Sequence, residues 1–209
     1  MKSKHEALIL VDIQNDFLPG GALAVARGDE VIPVANRCVP EFDNVITTQD
    51  WHPANHSSFA SQHPGRHVGD VVKVGDADQV LWPDHCVQLS EGAAFADALE
   101  IRCDVAIFRK GTDPAMDSYS GFFDNGHKHA TGLHEYLREH QIKRLYIMGL
   151  ATDYCVKYTA LDAAMLNIET SVLIDGCRSV SQSSGDLEDA IDEMKAAGVQ
   201  IIYSDEIFS

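Results

Sequence analysis

The chain has 209 residues, enough for one domain with a substantial core, and its apolar (45%) and charged (23%) fractions are those of an ordinary globular protein. Lys plus Arg total 16 against 32 Asp plus Glu, a formal charge of -16, which argues against nucleic acid and anionic membranes as partners because both need clustered cations. The opening Met1-Lys2-Ser3-Lys4-His5-Glu6 leads into an apolar run too short for a secretory signal, and no stretch reaches transmembrane length. The cysteines Cys38, Cys86, Cys103, Cys155 and Cys177 are widely spaced and contain no CxxC pair, so reduced thiols in a cytoplasm are expected.

Residues 7–11 form a continuous apolar run, the pattern of a central parallel strand covered on both faces. The run ends at Asp12, which by itself reads as a turn cap and, at a strand's carboxyl end, also as a site carboxylate. A helix is predicted over 29–38 with Asp29 as N-cap, and a second strand over 44–48. That strand runs into Gln49-Asp50-Trp51-His52-Pro53-Ala54-Asn55-His56. Asp50 and His52 share one side of an extended chain and make half of a metal site. Residues 57–80 read as a long polar surface excursion with a short strand at 71–74. The turn Leu81-Trp82-Pro83-Asp84-His85-Cys86 follows, with His85 as the third candidate ligand.

A short helix is predicted over 92–100 and a third buried strand over 105–108, followed by Arg109-Lys110-Gly111. An aromatic loop spans 117–123, and a helix over 131–140 would carry Thr131 as N-cap and Leu133, Tyr136 and Leu137 on its apolar face. The strand predicted over 144–148 opens into Gly149-Leu150-Ala151-Thr152-Asp153-Tyr154-Cys155 and then a helix over 156–166. Cys155 therefore stands at a strand-to-helix junction. The free N–H groups and partial positive charge there favour a thiolate and could hold an oxyanion. A strand over 170–174, a helix over 186–197 stopped by Gly198 and a last strand over 199–203 complete the alternation of a parallel α/β sheet with helices on both faces.

Asp12, Asp50, Lys110 and Cys155 each lie at or just past a strand end, and parallel packing brings such ends to one crevice. No GxGxxG follows the first strand and no GxSxG elbow is present. The set permits acyl transfer. Cys155 attacks a carbonyl, Asp12 takes the thiol proton and returns it to the leaving amine, and Lys110 stabilises the anions.

The run Val11-Asp12-Ile13-Gln14-Asn15-Asp16-Phe17, Asp50-Trp51-His52-Pro53 with Asn55-His56 and Ser58-Phe59, Trp82-Pro83-Asp84-His85-Cys86, Lys110-Gly111 and Ala151-Thr152-Asp153-Tyr154-Cys155-Val156 together resemble the bacterial nicotinamidases of the isochorismatase-like cysteine hydrolase superfamily. The resemblance spans nearly the whole chain in order. It implies an open, mainly parallel sheet of about six strands in one domain over 1–209, with a metal-site loop region at 50–90. It implies Asp12, Lys110 and Cys155 as catalytic residues, and Asp50, His52 and His85 as ligands of one divalent ion, zinc ahead of iron or manganese. A cis peptide between Leu150 and Ala151 would aim the N–H groups of Ala151 and Cys155 as an oxyanion hole. Phe17, Trp82 and Tyr119 would wall the aromatic substrate, and His56 stays open as a fourth ligand. The implied reaction is hydrolysis of nicotinamide to nicotinate and ammonia in NAD salvage, with pyrazinamide also accepted. The alternatives are another amidase of the superfamily, whose members usually lack the metal motif, and a non-haem iron oxygenase, which gives Cys155 and Lys110 no role.

Overall fold

The computed structural model describes residues 3–74, 77–181 and 184–208. The strands are β1 (Glu6–Val11), β2 (Asn44–Asp50), β3 (Val71–Val74), β4 (Ala77–Val80), β5 (Ala106–Lys110), β6 (Arg144–Leu150), β7 (Glu169–Arg178) and β8 (Gln200–Ile202). The helices are α1 (Val31–Cys38), α2 (Leu133–Glu139), α3 (Lys157–Met165) and α4 (Ser184–Ala196). Six strands form one parallel sheet in the order β5-β2-β1-β6-β7-β8. From β1 the chain winds outward through β2 to β5, then crosses back to β6 on the other side of β1. The winding direction thus reverses between β1 and β6, and such a switch point opens a crevice at the strand carboxyl ends.

The apolar runs form the sheet centre because only there are both faces covered. β1, β2 and β6 are buried at successive residues after their first, whereas β5, at the sheet edge, alternates between half-buried and exposed until its last residue, Lys110, which is buried. The close approach of β1 and β6 requires a glycine. Val11 pairs with Gly149, which has φ +130°, and a Cβ there would lie 2.1 Å from the Val11 carbonyl oxygen. α1 packs on β6 and β7, and α3 packs on β7 and α4.

Several elements differ from the sequence reading. The segment 92–100 is a chain of turns, not a helix. Its backbone is committed to the loop after β1: Gly92 and Ala94 carbonyls accept the N–H groups of Asp16 and Asn15, and Ala96 N–H donates to Ile13 O. Asp29 lies inside a 3-10 turn preceding α1 and makes no cap. α2 starts two residues after Thr131, although the Thr131 hydroxyl accepts the Leu133 N–H at 3.2 Å as a cap would. β3 and β4 form an antiparallel hairpin outside the main sheet. The 57–80 excursion begins buried, with Ser58 and Phe59 fully enclosed. Phe59 packs against the rings of His52, His56 and His85 at 5.5–5.6 Å.

Candidate active site

Register places the charged residues. Asp50 and Lys110 are direct partners in the β2–β5 ladder. Asp12 leaves β1 at φ +49°, one residue beyond the Val11–Gly149 pair. Lys110 Nζ lies 2.8 Å from Asp12 Oδ2 and 3.3 Å from Cys155 Sγ, donates to Ser118 O at 3.1 Å and makes a short bond to Asp50 Oδ1. Thr48 Oγ1 donates to Asp12 Oδ1 at 2.6 Å. All four charged or reactive groups are buried.

Burial alone would push Lys110 down, but Asp12, Asp50 and Cys155 around it hold it well above its usual range, so it stays cationic. Burial raises Asp12 against the pull of Lys110. Burial would raise Asp50 as well, but Lys110 and His52 outweigh it and keep that carboxyl well below its usual range. At Cys155 burial works against the thiolate that the helix end favours. Burial, joined by Asp12 and Asp50, pushes it well above an ordinary thiol despite Lys110. Asp12 is the carboxylate placed to hydrogen-bond the sulfur.

Cys155 occupies a π-helical turn, Thr152–Val156, between β6 and α3, and the Leu150–Ala151 peptide is cis. Such turns recur at functional sites because the extra residue redirects side chains out of the helical register.

Asp50 Oδ2 stands 3.5 Å from His52 Nε2 and 3.7 Å from His85 Nε2. Ligand atoms of the three residues lie within 4.8 Å of one another. His52 Nδ1 donates to Gly111 O at 2.9 Å and His85 Nδ1 to Pro83 O at 2.8 Å. A carbonyl only accepts, so both rings carry their proton on Nδ1 and present a lone pair on Nε2. Two imidazoles of the correct tautomer and an ionised carboxylate fit a divalent zinc, iron or manganese ion.

Asp50 is clamped by Gln14, whose amide accepts the Asp50 N–H at 2.8 Å and donates to the Asp50 carbonyl at 2.9 Å. Gly111 is obligatory: a Cβ there would lie 2.3 Å from the His52 ring, and φ is +63°. His56 is buried with its ring 4.3 Å from that of His52. Burial and His52 lower it to about 4, so it is neutral near pH 7.

A pocket with about 410 Å³ of free space, mouth included, opens onto Cys155, Asp50, His52 and His85. Phe17, Trp82 and Tyr119 line it, and so does Ala151. Phe17 meets His85 edge-on at 5.6 Å, and Trp82 Nε1 donates to the Tyr119 hydroxyl at 3.2 Å. Asp12 and Lys110 are not in the lining and reach it through Asp50 and Cys155. Leu23, Val25, Asp117, Tyr154 and Val180 also line the pocket and were not foreseen. Tyr154 packs edge-on against both Trp82 and Tyr119, at 5.0 and 5.2 Å. Its place beside Cys155 was the available signal; the others arrive from distant loops.

Known proteins resemble the chain along nearly its whole length. The model of the isochorismatase domain family matches residues 6–206. The nicotinamidase of Escherichia coli K12 is 51% identical over 199 residues, 93% of each chain. A solved nicotinamidase pyrazinamidase from Acinetobacter baumanii superposes with a TM-score of 0.96 at 43% identity, covering 99% of this chain and 100% of that one. A pyrazinamidase of Pyrococcus horikoshii, solved in complex with zinc, gives 0.79 at 38% identity over 95% of this chain and 99% of its own. With one sheet order, one crevice and one family match running from β1 to the last turn, the chain belongs to the isochorismatase family.

Proposed function

We propose that this protein, read as one catalytic domain, hydrolyses nicotinamide to nicotinate and ammonia, and accepts pyrazinamide in the same pocket. The observation that carries the reading is the meeting of Cys155 with Lys110 at 3.3 Å, Lys110 with Asp12 at 2.8 Å, and the Asp50–His52–His85 donors on one pocket. The similarity to proteins named nicotinamidase and pyrazinamidase supports the substrate class.

Substrate enters with its ring between Phe17, Trp82 and Tyr119. Asp50, His52 and His85 would hold a divalent ion, zinc by analogy with the Pyrococcus relative, which when bound would supply Lewis acidity beside the substrate ring. The Cys155 thiol gives its proton to Asp12 as Sγ attacks the carboxamide carbon. Burial of the sulfur, beside Asp12 and Asp50, favours the thiol before substrate arrives. The oxyanion is received by the backbone N–H groups of Ala151 and Cys155. Asp12 returns the proton to the leaving nitrogen, ammonia departs and a thioester remains. Asp12 then deprotonates water, which attacks the thioester; nicotinate leaves and Cys155 regains its proton. Lys110, cationic throughout, offsets the negative charge gathered on Asp12, Asp50 and sulfur. An iron oxygenase reading assigns nothing to Lys110, which bonds the Asp50 carboxylate, or to Cys155, which Lys110 meets at 3.3 Å.

The test is ammonia release from nicotinamide by zinc-loaded protein beside a Cys155→Ala variant. Release by the wild type and a fall of about 10³-fold or more in the variant are expected, in line with losses at covalent nucleophiles. Release that survives in the variant rejects Cys155 as nucleophile; none from the zinc-loaded wild type rejects the substrate.

A further inference from the structure

The histidines around Asp50 differ in which ring nitrogen is free. His52 and His85 turn Nδ1 to backbone carbonyls and leave Nε2 as a lone pair. His56 is reversed. Its Nδ1 receives the Ser58 backbone N–H at 3.2 Å and sits 2.7 Å from the Ser58 hydroxyl. A backbone N–H only donates, so this Nδ1 is an acceptor and the ring proton resides on Nε2. A protonated nitrogen cannot ligate a metal. Nε2 of His56 is buried and has no hydrogen-bond partner among the described residues.

Two acceptors stand near this ring, the Met116 backbone carbonyl and the Asp117 carboxylate, and of the two only the carboxylate lines the substrate pocket. A carboxylate oxygen of Asp117 and one ring nitrogen each of His52 and His56 lie within 4.8 Å of one another, close enough for a single water to link two of the groups. Asp117 is buried yet lines the substrate pocket. Its oxygens accept the Ser118 N–H at 2.8 Å and the Gln79 side-chain amide at 2.9 Å, and each retains a lone pair. Gln79 belongs to β4, so the same carboxylate ties the β3–β4 hairpin to the pocket.

We propose that His56 is not a fourth metal ligand but a hydrogen-bond donor whose Nε2–H serves the Asp117 carboxylate through one shared water, making the two a positioning pair for the pocket wall beside the metal donors. The proposal rests on the reading of Asp50, His52 and His85 as the metal ligands. The pair's task is to hold the Asp117 carboxylate at a fixed orientation, so that the ring-binding wall keeps one shape.

The experiment is long-range ¹H–¹⁵N NMR of protein carrying ¹⁵N-histidine, before and after zinc is added. His56 is expected to keep its proton on Nε2 in both states, while the Nε2 signals of His52 and His85 move on zinc addition. In parallel, His56→Leu and Asp117→Asn are expected to raise the KM for nicotinamide about 5-fold each, with kcat and zinc affinity within about 3-fold of wild type and the double variant no worse than either single one. His56→Gln, which returns an N–H near the Nε2 position, restores KM. Loss of the Nε2 proton from His56 on zinc addition, or a zinc affinity that falls as far in His56→Leu as in His85→Leu, overturns the proposal and leaves the metal site standing. Additive KM effects in the double variant overturn the pairing. Zinc that moves neither His52 nor His85 removes the metal site, and this proposal with it.

Discussion

At the scale of single residues, burial sets the chemistry. Five cysteines share one chain, and their surroundings separate them. Burial pushes Cys38 up to about 11 and Cys177 up to about 12, while Cys103 is exposed. Raised pKa values keep the first two as unreactive thiols until the pH passes those values. Iodoacetamide at pH 8, followed by mass spectrometry, is therefore expected to modify Cys103 first and to leave Cys38 and Cys177 unmodified in the folded protein. Gly111 shows the complementary dependence of a ligand on its neighbour. Its carbonyl orients His52 and its missing side chain makes room for that ring. Gly111→Ala is expected to weaken zinc binding about 10- to 100-fold, the usual cost of disturbing a group that orients a ligand, as read by competition with a chromophoric chelator.

Among the elements, β1 and β6 hold the crevice open at its centre. Asp12 follows one strand and Cys155 the other, and the Val11–Gly149 pair sets their separation. A Cβ at Gly149 would strike the Val11 carbonyl oxygen, and its φ of +130° is unsuited to alanine. Gly149→Ala is expected to destabilise the fold by about 3 kcal/mol in a denaturant titration, since the clash is with backbone and cannot be relieved by a rotamer change. β2 divides into two halves with different tasks. Val45 and Ile46 feed the core, whereas Thr47, Thr48, Gln49 and Asp50 are polar and equally buried. Buried polar groups need partners, and the side-chain partners of the last three are Asp12, Ala93, Arg109, Lys110 and the ligand histidines.

For the whole molecule, an ion held as proposed by Asp50 and His52 at the end of β2 and by His85 in a distant turn would couple metal binding to folding. A ligand that binds only the folded state stabilises it, by about 2.7 kcal/mol at a free concentration 100-fold above Kd. Stripping the ion with a chelator is expected to lower Tm by several degrees, restored on adding zinc; an unchanged Tm would show that the donors do not close on an ion in the folded state. The strands of the sheet were legible in the sequence because 7–11 and 145–148 are unbroken apolar runs, and the alternation with helices specified a parallel sheet. Asp12, Asp50, His52, His85, Lys110 and Cys155 were legible because each closes or follows such a run or turn, and strand ends converge in any parallel sheet. The stretch 92–100 was misread because its backbone partners sit some 80 residues earlier, in the loop after β1. Asp117 and Tyr154 entered the pocket unannounced, since a loop's destination is set by packing against other loops. The sequence by itself determined which residues end the strands and so which chemistry is available. The tertiary structure alone decided the surroundings of that chemistry: the burial that opposes a thiolate at Cys155 and the Gly111 carbonyl that sets the His52 tautomer come from residues distant in the chain, whereas the opposite tautomer of His56 is set locally by the Ser58 N–H, two residues on.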